Sequence, residues 1–325
     1  MTNLPALFKA KTLEPQQTGL SLAESITRSA SKQTYFTIRL LADRDRVADA
    51  FRAYAYYRWV DDILDADGEA ESARMAFIQR QISLLEACYR GESVQSTSDE
   101  EQLLVELIRG DTEQGSGLHT YLCNLMAVMV FDANRRGRVI SQSELNKYTE
   151  LLASAVMEGM HHFIGHCFSS PQTEARYLAV SAAHISHMLR DTYDDLPTGY
   201  YNIPREVLLA NHIKPQDVGS DAYRAWVCSR VQLARSQFTA GREYLNQVEN
   251  LRCRLAGLAY VARFEIVLDT IEKEGYLLRP DYTERRSLGS GFRMVWMTLA
   301  ALVNGRKGGK HTASTRTSQR SLREL

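Results

Sequence analysis

Three carboxylates, Asp61, Asp62 and Asp65, fall within five positions of the segment RWVDDILD, hemmed in by Trp59, Val60, Ile63 and Leu64. On a helix, at roughly 100° per residue, Asp61 and Asp65 project about 40° apart. Like charges at that spacing cost a few tenths of a kcal/mol even in water, and more when desolvated. The apolar flank faces an interior, so a positive charge is expected between the two carboxylates. A second acidic set lies 130 residues on, in HISHMLRDTYDDLPTGYYNIP, with Asp191, Asp194 and Asp195. Asp191 and Asp195 repeat the i,i+4 spacing on a helix that should end before Pro197. His184 and His187, seven and four residues before Asp191, share its face.

Mg²⁺ suits two facing carboxylate pairs. It is a hard ion that keeps waters and takes one or two carboxylates plus phosphate oxygens. Asp61, Asp62, Asp65, Asp191, Asp194 and Asp195 are the candidate ligands. The competing reading is two solvated acidic helix ends. One such string would leave that reading standing. Two in one chain, each beside an arginine (Arg58, Arg190) and amid apolar residues, favour a shared site that grips a diphosphate through the metal.

The elements that carry these residues read as helices. No proline occurs between Pro15 and Pro171 in a stretch rich in Ala, Leu, Arg, Glu and Gln, which suits packed helices. Alternating β-branched runs and hairpin turns are missing. Breaks fall near DADGEAES, YRGESVQSTSDEE, RGDTEQGSG, NRRGRVISQSE, FSSPQTE, LPTGYYNIP, NHIKPQDVGSD and EGYLLRPDYTERR. SQSE at 141–144 reads as a capping box opening the helix that carries Tyr148 to His166. The expected layout is an N-terminal arm (1–20), one all-α domain (21–303) and a basic, disordered tail (304–325).

Charge and cysteines bound the setting. Lys plus Arg equals Asp plus Glu at 39 each, so net charge gives no reason to expect a nucleic-acid partner. Five cysteines without a CxxC pair read as reduced, mostly buried thiols of a cytoplasmic protein. The apolar run MVWMTLAALV, residues 294–303, is too short to span a bilayer, which needs about 20 residues. The tail after it holds six Lys/Arg against one Glu. Together they could hold the protein at the periphery of an anionic membrane.

The paired motifs resemble those of the squalene/phytoene synthases, the head-to-head prenyl transferases. YAYYRWVDDILD matches their first motif at Tyr54, Arg58, Asp61, Asp62 and Asp65. HMLRDTYDD…G…IP matches their second at Leu189, Arg190, Asp191, Asp195, Gly199, Ile203 and Pro204. Ser31 and Lys32, Asp132, Tyr148 with Ala153 and Val156, and ARFEIVLDTIEKEGY add to the likeness, which covers roughly residues 25–290. The resemblance implies an isoprenoid-synthase-type helical bundle around a central cavity. Asp61, Asp65, Asp191 and Asp195 would hold Mg²⁺ and, with Tyr148, form the catalytic set. Lys32, Tyr54, Arg58, His184, His187 and Arg190 would bind a prenyl diphosphate of C15 or C20. The metal would draw off diphosphate, leaving an allylic cation in an apolar pocket. NADPH is compatible with such a reaction, but no motif indicates it.

The sequence also departs from the family. His184 and His187 stand where Gln and Asn are usual, Tyr200 and Asn202 replace an Arg and a Tyr, Phe264 aligns with a Tyr, and Ser154 and Met157 replace glycines. Protonated imidazoles at 184 and 187 would add charge beside the diphosphate and switch with pH. A product other than squalene or phytoene is therefore expected. The alternatives are a class I terpene cyclase acting on one substrate and a silent relative serving as an assembly factor. Glu158, His161, His162 and His166 could suggest a di-iron site, but its second Glu-x-x-His is missing, so no transition metal is expected. One or two rings of FRAYAYYRW could face a cation.

Overall fold

A computed structural model of the protein describes residues 15–66, 70–113 and 115–282. Among them are eleven helices and no strand: α1 (Pro15–Ala30), α2 (Lys32–Leu41), α3 (Val47–Asp65), α4 (Glu71–Tyr89), α5 (Asp99–Arg109), α6 (Gly117–Arg135), α7 (Gln142–Phe163), α8 (Ala175–Thr198), α9 (Arg205–Asn211), α10 (Asp221–Gln247) and α11 (Leu251–Lys273). The all-α expectation holds. The sequence breaks are found, but three boundaries carry neither Gly nor Pro and escaped the reading. Ser31 caps α2, the turn at 42–46 opens α3, and Asn250 caps α11 through its side chain. The basic tail, the run 294–303 and the first 14 residues of the expected arm lie outside the described residues. α1 opens at Pro15, so the last part of that arm is helical. None of the described helices is long and apolar enough to cross a membrane.

α8 is the central rod. Ala179 to Ser186 are buried without interruption, as expected of a helix covered on every side. It packs against α7, α10 and α11. Small side chains permit this: a Cβ on Gly241 of α10 would meet the Ala179 backbone nitrogen at 2.7 Å. Pro197 falls inside the last turn of α8 and does not end it. The stop comes two residues later at Gly199, with φ 86°, a conformation that glycine reaches without a Cβ penalty. Gly137, just past α6, donates its N–H to the Gly199 carbonyl at 2.8 Å. A Cβ on Gly199 would meet that same nitrogen at 2.9 Å. The close pairing ties the end of α6 to the end of α8.

α7 begins with the expected capping box at Ser141 and Glu144 but stops at Phe163. Gly165 turns the chain with φ 82°, so His166 lies beyond the helix. Of the five free cysteines only Cys253 is buried and Cys167 is exposed, which corrects the expectation of mostly buried thiols.

Candidate active site

α3 and α8 carry the two acidic sets without packing along each other; α6 packs on α3, and Arg135 at its C-terminal end reaches Asn202 in the segment after α8. On α3, Arg58 bonds Asp61 at 3.2 Å and also pairs with Asp62. The positive charge at the cluster is Arg58, one turn earlier on the same helix, and it pairs with Asp61 and Asp62 and does not sit between Asp61 and Asp65 as expected. Burial, and then the Asp65 charge, push Asp61 up to about 6 despite Arg58. Asp65 is also raised by burial, opposed by Arg136 and Arg58 and by a hydrogen bond from Tyr200. That bond matters for architecture, because Tyr200 follows α8 and so brings the second motif onto the first. Of the apolar flankers, Val60 and Leu64 are buried, Trp59 is half-buried and Ile63 is exposed.

On α8 the charges are arranged differently. Burial would raise Asp191, but hydrogen bonds from His187 and Arg190 outweigh it and hold this carboxyl well below its ordinary value. His187 lies 2.8 Å from the carboxylate. Asp195 resembles Asp61: burial pushes it up to about 6, with Asp191 adding to the rise and a hydrogen bond from Asn202 resisting it. Asp62 and Asp194 are exposed.

The bridge comes from α6. Arg135, nearly buried, donates to Asp132 at 2.7 Å and to Asn202 at 3.0 Å, and Asn202 donates to Asp195 at 2.7 Å. Tyr148 of α7 donates its hydroxyl to Asp132 at 2.8 Å. Burial and then the Asp132 charge keep that hydroxyl protonated. The Arg135 guanidinium lies 5.1 Å from the ring centres of both Tyr148 and Tyr200. Arg135 and Arg136 were not read as site residues from sequence, because only tertiary structure brings them to the carboxylates. Asn202 and Tyr200 stood out only as departures, and both are built into this bridge.

His184 corrects an expectation. It is buried against the Tyr148 ring at 4.9 Å, and neither ring nitrogen has a hydrogen-bond partner. Burial, followed by repulsion from His187, Arg135 and Arg230, drives its pKa well below the ordinary value. Its imidazole is neutral and cannot supply positive charge to a diphosphate. Only His187, half-exposed beside Asp191, keeps that role open. Lys32 is exposed at the first position of α2.

The structure also holds an apolar cavity of about 360 Å³, walled by side chains that include Ile38, Tyr121, Met157, Phe163 and Tyr260. Tyr54, one turn before Arg58, and Arg263 of α11 also line it. Val180 of α8 lines the cavity eleven residues before Asp191, about 16 Å at 1.5 Å per residue. Of the family departures, Met157 fills cavity wall. Ser154 accepts a hydrogen bond from Asn124 at 3.1 Å, and Phe264 packs near His187.

At the other end of α7, Glu158 accepts two bonds from Arg176 (2.7 and 2.8 Å) and one from Tyr177. His161 meets the Tyr244 hydroxyl at 2.9 Å, His162 meets Arg46, and His166 meets Glu113. These groups point to separate partners. Among the described residues no three His, Cys, Asp or Glu side chains gather as a self-sufficient metal site would require.

The Asp set nonetheless fits Mg²⁺. Hard oxygen donors occur in two pairs, and two of them, Asp61 and Asp195, carry charge that the protein leaves poorly neutralised. A hard cation arriving with phosphate oxygens would complete such a donor set.

The squalene/phytoene synthase family profile matches residues 27–289, and the fold, the two acidic helices and this match define the chain as a prenyl transferase. The protein belongs to the squalene/phytoene synthase family. A presqualene diphosphate synthase of Rhodopseudomonas palustris (strain ATCC BAA-98 / CGA009) is 27% identical over 222 residues, covering 66% of this chain and 74% of that protein. Among solved structures, the chain is similar to a squalene synthase from Alicyclobacillus acidocaldarius, with TM-score 0.65 at 19% identity, covering 81% of this chain and 97% of the other. It is also similar to a dehydrosqualene synthase solved with a ligand, with TM-score 0.67 at 15% identity, covering 90% and 100%.

Proposed function

We propose that the protein ionises C15 or C20 allylic diphosphates in a Mg²⁺-dependent reaction and couples two prenyl chains head to head. The observation that carries this reading is an apolar cavity lined by Arg263 and by Tyr54, one turn before Arg58 on the first acidic helix, which suits an amphiphile with a polyanionic head. Asp61, Asp65, Asp191 and Asp195 would hold Mg²⁺, and the ion would supply Lewis-acid stabilisation to the departing diphosphate. Arg58 and Arg190 reach the same region and would bind phosphate oxygens. The apolar walls would shield a cation formed there from hydration. Tyr148, held by Asp132, presents its ring with that of Tyr200 around Arg135 and fixes the inner end of the site.

The proposal extends to the cell. Charge in the segment 304–325, six Lys/Arg against one Glu, supports peripheral contact with an anionic membrane on the cytoplasmic side. The test of function is incubation with farnesyl or geranylgeranyl diphosphate, with and without Mg²⁺, followed by pyrophosphate measurement and mass spectrometry of the organic extract. Release of pyrophosphate with a C30 or C40 product, only in the presence of Mg²⁺, is expected. A cyclic C15 or C20 product would instead assign the chain to single-substrate cyclisation.

A further inference from the structure

Arg263 of α11, one turn after Tyr260, lines the apolar cavity, as do Gln33, Thr34 and Tyr54. The arginines of the acidic site are committed. Arg58 pairs with Asp61 and Asp62, Arg190 with Asp191, and Arg135 with Asp132. Among the described residues no carboxylate pairs with Arg263. Burial and then the nearby Arg190 charge lower its pKa from the ordinary arginine value. A partly buried cation beside a second cation costs folding free energy, and among the described residues the guanidinium meets the Phe264 ring at 5.6 Å but no carboxylate. Such an arrangement is favourable only when an anion arrives.

The position narrows the anion. Arg263 is half-buried and lines the apolar cavity, so a ligand that reaches it from the cavity side brings hydrocarbon with it. The polar residues that line the cavity with it, Gln33, Thr34 and Tyr54, are neutral donors. Arg190, close enough to repel it, stands beside Asp191 on the second acidic helix. We propose that Arg263 is a binding residue for the diphosphate of the prenyl chain that occupies the cavity, an inference that rests on the function proposed above. The planar guanidinium fork meets two phosphate oxygens at once, which a lysine cannot reproduce. In this arrangement the acidic helices hold the head group through a metal, and Arg263 holds it directly from the cavity side.

Titration calorimetry with the non-ionisable farnesyl thiodiphosphate, in Mg²⁺, tests the assignment on wild type, Arg263→Gln and Arg263→Lys. Farnesol, which has the same tail and no charge, is titrated in parallel. Arg263→Gln should weaken the thiodiphosphate by roughly 10- to 50-fold, with Arg263→Lys intermediate, and farnesol should bind all three forms alike. In turnover the same substitution should raise KM more than it lowers kcat. Thiodiphosphate affinity within twofold of wild type in Arg263→Gln overturns the proposal, and so does an equal loss of farnesol binding, which would make Arg263 a shaper of the cavity. A wild type that binds neither compound would instead refute the functional reading itself.

Discussion

The two ends of α7 and α8 are both rich in charge, yet they handle it in opposite ways. At the Glu158 end, Arg176 is 3% exposed and its guanidinium is matched by Glu158, Ser170 and Tyr244. Burial works against Glu158, but Arg176 and Tyr177 more than offset it, and its pKa falls. At the Asp61 end, burial wins for Asp61, Asp65, Asp132 and Asp195, all of which are raised. A satisfied network stabilises the fold. An unsatisfied one marks a place where a ligand completes the structure. Similar residue types thus serve architecture at one end and chemistry at the other.

This contrast can be broken at three points. The largest effect is expected from Asp61→Asn and Asp191→Asn, which should each lower pyrophosphate release by about 10³-fold or more, in line with the loss of several kcal/mol of transition-state stabilisation. Their far-ultraviolet circular dichroism should match that of the wild type. Activity near wild type in both would show that the acidic end is no more chemical than the other.

Next comes Glu158→Gln. It leaves the Arg176 charge buried without its carboxylate, a change that costs about 3–5 kcal/mol where a buried pair is broken. Denaturant unfolding should show that loss, while the turnover of the folded fraction stays within about twofold. A variant of unchanged stability but lost turnover would reverse the roles assigned to the two ends.

The smallest effect concerns Asp61 in the metal-free protein. Burial lifts its carboxyl in the folded state to about 6, above its ordinary value of 3.8. The folded state therefore holds the proton more tightly, and stability contributed below pH 3.8 is lost as pH rises through about 6. Asp61→Asn removes that loss. Because the side chain is 39% exposed, solvent screening reduces the effect to about 1 kcal/mol. Thermal melts at pH 7.5 in EDTA should show Asp61→Asn higher by roughly 1–3 °C, with the gap closing near pH 4. A lower melting temperature at pH 7.5 would mean that Asp61 is compensated in the fold and belongs with the satisfied groups.

Much of this was legible in the sequence, for local reasons. The Asp61/Asp65 and Asp191/Asp195 pairs follow from i,i+4 spacing, and the SQSE box fixes the start of α7. The unread parts depend on distance in space. Arg135 reaches Asn202 across 67 positions of chain, and no local pattern encodes that approach. The neutral state of His184 comes from burial under Tyr148, whereas helical spacing shows only which face it shares with Asp191. Helix ends without Gly or Pro, as at Ser31 and Asn250, were hidden because their caps are side-chain hydrogen bonds.

Gly199 has a further consequence for how substitutions in this protein would be interpreted. It carries no side chain that could do chemistry, yet it fixes the crossing where the chain leaves α8. Alanine there would press on Gly137 and displace the adjacent Tyr200 from Asp65. Mutational tolerance and chemical participation therefore diverge at this position. A survey of inactive variants would place Gly199 alongside the aspartates, and only a binding or structural readout would separate the hinge of the site from its reagents.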